Sequence, residues 1–186
     1  MLHRGFTTVR DAGGADCGLS AAVEEGTVEG PRLHFCGKAL SATGGHGDFR
    51  GTGEQQLPCK HCADPTIGKV VDGVRACRQA VREEVRKGAT HIKIMASGGV
   101  SSPTDRLNSL QFSREELEAL VGEARLSGTP TMAHAYTPQA IARAVEVGCA
   151  SIEVRQPRRR RRPGERPSTD RANSTATTPT RRAWRR

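Results

Sequence analysis

Apolar and polar residues alternate along two short runs, and each run carries a side chain out of keeping with a buried strand. In "HIKIMAS" (91–97), Ile92, Ile94 and Ala96 fall on one face and Lys93, Met95 and Ser97 on the other, the period of a β-strand. Gly98-Gly99 then ends the run in a turn. In "PTMAHAY" (130–136) the same alternation puts Met132, His134 and Tyr136 together. Lys93 is either snorkelling to water from a strand end or desolvated, with its amine made reactive.

Three more strands are predicted at 5–11 ("GFTTVRD"), 32–41 ("RLHFCGKALS") and 150–154 ("ASIEV"). Amphipathic stretches predict helices at about 16–27, 66–88, 113–127 and 137–147. Ser113 with Glu116 three residues on makes a capping box, and Thr137 followed by Pro138 caps and opens the last helix. Strand and helix in alternation build parallel βα units, so the class is α/β. The segment 41–65, long and rich in Gly and Cys, reads as an extended loop at the C-terminal end of a strand, the end where βα barrels place their active sites.

Charge divides the chain. The whole sequence of 186 residues carries a net +9, but residues 1–154 hold 17 basic and 18 acidic residues, a net of −1, against 12 and 2, a net of +10, in residues 155–186. After Val154 the chain is almost only Arg, Pro, Ser, Thr and Ala, without apolar periodicity, a composition that predicts a disordered tail rather than a packed one. Two domains are therefore expected, 1–154 and 155–186. The run Arg158–Arg162 would hold nucleic acid non-specifically through counterion release, and a slip of the coding frame near Glu153 also accounts for the abrupt change. No apolar run long enough for a membrane span is present and "MLHRGFTTVRD" has no signal-peptide core, so a cytoplasmic protein with reduced thiols is expected. "CKHC" (Cys59, His61, Cys62) has the spacing of a zinc knuckle without a second pair to complete it.

Lys93 and His134, at inner C-terminal ends of neighbouring strands, would stand at matching heights. A neutral lysine amine adds carbon dioxide to give a carbamate, an anionic oxygen ligand able to bridge two divalent ions; the pair is thus a candidate metal site.

Together "GFTTVRDAGG", "GPRL", "LSATGGHGD", "HIKIMASGGV", "FSREEL" and "MAHAYTPQAI" resemble the amidohydrolase superfamily, in its imidazolonepropionase-like and Xaa-Pro-dipeptidase-like branch, over about residues 4–153. The resemblance implies a TIM-like (β/α)8 barrel, here in part, from about strand two to strand six. It also implies one or two divalent metals, zinc as a rule, and hydrolysis of a carbon–nitrogen bond in a small amide or dipeptide. The bridging carboxylated lysine falls on Lys93 and a histidine ligand on His134. The loop of His46 lies near the substrate in that family, a glycine-flanked loop histidine being the other reading of His46; Tyr136 and Asp11, at strand ends, are weaker candidates for substrate contact.

The sequence departs from the family pattern at three points. It has no His-x-His pair, Val154 stands where the sixth-strand histidine is expected, and no later strand supplies an aspartate. Two ligands are too few for a two-metal hydrolase, so this chain by itself is expected to be inactive. A nucleic-acid-binding protein acting through the tail, and an inert fragment that self-associates through open sheet edges, are the other readings.

Overall fold

A computed structural model describes residues 1–51, 53, 67–100 and 104–153. The elements run β1 (Thr8–Arg10), α1 (Cys17–Glu24), β2 (Arg32–His34), β3 (Ala39–Ser41), β4 (Gly68–Val70), α2 (Val74–Arg86), β5 (Ile92–Met95), α3 (Arg114–Leu126), β6 (Thr131–His134), α4 (Pro138–Glu146) and β7 (Ser151–Ile152). All the strands pair in parallel, as βα crossovers require: β1 with β2, and β4-β3-β5-β6-β7 as a five-stranded sheet. The fold is α/β with a parallel sheet, in keeping with part of a TIM-like barrel. The CKHC segment and the basic tail lie outside the described residues.

Local chemistry starts α3 and α4 where the sequence places them. The Ser113 hydroxyl accepts from the Glu116 N–H while the Glu116 carboxylate accepts from the Ser113 N–H, completing the capping box. The Thr137 hydroxyl accepts from the Ala140 N–H, with Pro138 at the first helical position.

The expected strand 32–41 is in fact two, β2 and β3, in different sheets. The chain turns between them at Gly37, whose φ of 67° favours glycine and whose Cα faces the buried Glu84 carboxylate so closely that a Cβ would overlap it. The helix expected from residue 66 starts only at Val74, because Gly68–Val70 pairs with β3 as a strand.

Two faces follow from the register. Leu40, Ile92, Ile94 and Ala133 pack with Cys77, Val81, Leu117, Leu120 and Ala124 from α2 and α3 as one apolar core. The opposite face carries Lys93, Met95, Met132 and His134, and it too is buried, as strands of a parallel sheet covered on both sides are. Lys93 pairs with Met132 and Met95 with His134. The two polar side chains therefore share a face but not a height: His134 stands two residues further along, roughly 6.5 Å at the usual strand rise.

Candidate functional site

Lys93 is 4 % exposed on the face away from the helices. Burial pushes its amine below the usual lysine value; Glu153 and Cys36 act against that through space and Arg10 with it. Glu153 is engaged elsewhere. Its carboxylate accepts from Arg10 Nη2 at 2.6 Å, and Arg10 Nη1 donates to the Ser151 hydroxyl at 3.3 Å, a bridge between the first and last strands described. Burial raises the Glu153 carboxyl, but the Ser151 hydroxyl and Arg10 outweigh it and hold the group below its ordinary range.

His134 lies at the end of β6, 8 % exposed, with Nε2 3.3 Å from the Gly98 carbonyl. A carbonyl only accepts, so Nε2 donates and Nδ1 keeps the lone pair. Burial first, then the neighbouring His46 and Lys93, push its pKa down to about 4. At neutral pH the ring is uncharged, as a metal ligand must be.

The other two expected residues converge on this ring. His46, from the loop after β3, stacks on His134 with ring centroids 4.2 Å apart and planes 19° from parallel. Tyr136 meets it edge-on at 5.2 Å and 76°. Asp11 does not join them. Its carboxylate accepts from the Gly13 and Ala15 N–H groups, and its carbonyl sits 2.8 Å from His91 Nε2, which ties the turn after β1 to the start of β5.

Asp105 and Gln111, from the loop after β5, escape a reading of the sequence. Asp105 Oδ2 lies 3.5 Å from His46 Nδ1, and the Asp105 side chain is 1 % exposed. Neither residue sits in a periodic run, and their partners are brought in by chain folding alone.

Lys93 and His134 are two donors where a zinc site takes three or four. Among the described residues no three His, Cys, Asp or Glu side chains are grouped to hold an ion. Among the described residues, Lys93 and His134 therefore do not complete a zinc shell.

Buried neutral histidines leave a mark on stability. His91, 1 % exposed, is held below its ordinary value by burial, against the Asp11 hydrogen bond. When the pH falls below about 6.5 the unfolded chain takes up protons that the folded chain refuses at His91 and His134, so stability present above that pH is lost on acidification. The urea midpoint is expected to fall between about pH 7.5 and pH 5, and less steeply for His91→Gln. A midpoint constant over that range would contradict the burial of both rings.

A parallel βα sheet with a buried lysine and histidine on one face is the architecture of part of a βα barrel. The chain belongs to the amidohydrolase family, whose sequence model matches residues 1–165, running past the change of composition at 154/155. It is 39% identical over 160 residues to ochratoxinase of Aspergillus niger, covering 82% of this chain and 33% of that protein. Among solved structures it resembles a prolidase complexed with N-methylphosphonate-L-proline, with 59% identity, a TM-score of 0.78, and 82% of this chain and 38% of that one covered. It also resembles a Xaa-Pro dipeptidase with methionine bound in its active site, with 36% identity and a TM-score of 0.66, over 80% of this chain and 36% of that one. The chain thus spans about a third of the length of the curated relatives it matches.

Proposed function

We propose that this chain carries one wall of the active site of a metal-dependent amidohydrolase that cleaves a carbon–nitrogen bond in a small amide or a dipeptide. One observation carries the reading: Lys93 and His134, both buried and both pushed toward their neutral forms, share the non-helical face of adjacent parallel strands. A neutral Lys93 amine can attack carbon dioxide, forming an N–C bond and releasing one proton, to give a carbamate. His134 offers the Nδ1 lone pair. A divalent metal, zinc by the habit of the family, would supply Lewis acidity and an activated water when further donors complete its shell.

We assign His46 and Tyr136 to the lining of the bound substrate; their stacked and edge-on contacts with the His134 ring support this reading. Two relatives support a dipeptide: the prolidase, solved with a phosphonate derivative of proline, and the Xaa-Pro dipeptidase. Ochratoxinase points to the wider class of small-molecule amides.

The donor count sets the test. Purified as these 186 residues, in excess zinc and bicarbonate, the chain is expected to show no turnover of Xaa-Pro dipeptides or aryl amides above a zinc-only control. Turnover that Lys93→Ala or His134→Ala abolishes would mean that the chain completes a site with donors the count has missed.

A further inference from the structure

Three polar side chains join the loop after β3 to the loop after β5: His46, Asp105 and Gln111. Asp105 Oδ2 accepts from the Gly99 N–H at 3.0 Å and from Gln111 Nε2 at 3.2 Å, and His46 Nδ1 lies 3.5 Å from the same oxygen. Asp105 Oδ1, Gln111 Oε1 and His46 Nδ1 are buried without a hydrogen-bond partner among the described residues. Asp105 is 1 % exposed in its side chain and Gln111 5 % exposed.

The chemistry of these orphans is lopsided. A carboxylate oxygen and an amide oxygen carry no proton, so both accept only. Opposite a carboxylate and an amide oxygen, the ring nitrogen is the one of the three that can donate. With the proton on Nε2, Nδ1 would set a third buried lone pair against oxygens already short of donors, the costly arrangement for buried polar atoms. With the proton on Nδ1, the ring faces the Asp105 carboxylate as a donor. The ring is also clamped: a Cβ at Gly99 would overlap it, and it stacks on His134.

We propose that Asp105 is a positioning residue that selects the Nδ1–H tautomer of His46, leaving Nε2 as the ring's acceptor for an N–H or O–H donor of the substrate. The carboxylate orients an imidazole by holding one nitrogen protonated, the arrangement by which a buried aspartate fixes a histidine tautomer in other hydrolases. The use of Nε2 rests on the amidohydrolase reading of the site; the choice of tautomer does not.

The experiment is magic-angle-spinning ¹⁵N spectroscopy of the histidine-labelled full chain, which does not require a monomer, at about pH 8 where free imidazoles are neutral. The chain has six histidines, and a His46→Asn difference spectrum assigns the ring in question. His46 is expected to show a protonated, pyrrole-type Nδ1 and an unprotonated, pyridine-type Nε2. Asp105→Asn is expected to move it to a mixture of tautomers and Asp105→Glu to restore the original form in part. His91, with Nε2 facing the Asp11 carbonyl, serves as the folded-state control. A protonated Nε2 in the unsubstituted chain would overturn the proposal outright, whatever the variants do. So would an Asp105→Asn chain that keeps the His91 signals and an unchanged His46. Because hydrolysis plays no part in this readout, a protonated Nε2 would leave the assignment of Lys93 and His134 untouched, and an inactive enzyme would leave the tautomer assignment untouched.

Discussion

Grafted in place of the matching segment of the prolidase relative, residues 1–153 are expected to sustain cleavage of Xaa-Pro dipeptides, and Lys93→Ala or His134→Ala to remove it. The expected loss is about 10³-fold or more, since polarisation of the carbonyl and activation of water are together worth several kcal/mol of barrier. The graft rests on 59% identity and a TM-score of 0.78 across the segment, so the strands that carry both side chains meet a scaffold of their own geometry. Each substitution removes a donor but also empties a buried position, so zinc content and melting temperature are read beside the rate. Loss of rate with loss of zinc in a folded chimera is the predicted pattern. A Lys93→Ala chimera that keeps both zinc and most of its rate would rule the lysine out as a ligand.

Leu120→Ala is expected to have the largest effect on stability. Leu120 is fully buried on α3 and packs in one cluster with Leu40, Val81, Ile94 and Leu117, at the junction of α2, α3 and the sheet. Removing its side chain loses the transfer energy and leaves a cavity, about 2.7–5 kcal/mol for a buried leucine. A domain stable by about 5–15 kcal/mol would lose a large share of its margin. Leu126, on the same helix but 84 % exposed, gives the control: its truncation is expected to stay within about 0.5 kcal/mol. Urea midpoints for the two variants check this, and similar losses would mean that α3 does not pack by the face described.

The parts of this molecule that alternate over four or more residues are the parts its sequence discloses. β5 and β6 show their period, and Lys93 and His134 stand out because a charge and an imidazole interrupt buried runs. β4 is three residues long, too short for a period, and it merges with the helical pattern after it. β2 and β3 read as one strand because the apolar run continues across Gly37, while the left-handed backbone there and the Glu84 carboxylate behind it belong to the folded chain.

The relative height of Lys93 and His134 depends on which residues pair across β5 and β6, and position within each strand does not fix that. Tyr136 is legible beside His134 through the alternation of 130–136, and His46 through the family's placement of its loop near the substrate. Asp105 and Gln111 are not, since loop side chains follow no period and meet their partners only in the fold. Arg10 and Glu153 are 143 positions apart, a separation at which local patterning says nothing.

Equilibrium dialysis of the 186-residue chain against zinc and bicarbonate, followed by metal analysis, tests the central claim most directly, because it counts donors without requiring a reaction. Two donors predict that less than one zinc per chain survives dialysis into metal-free buffer, with no difference between the chain and its Lys93→Ala and His134→Ala variants. One or two zinc ions retained per chain, and lost on either substitution, would show that these residues complete a metal centre within the chain and would contradict the account.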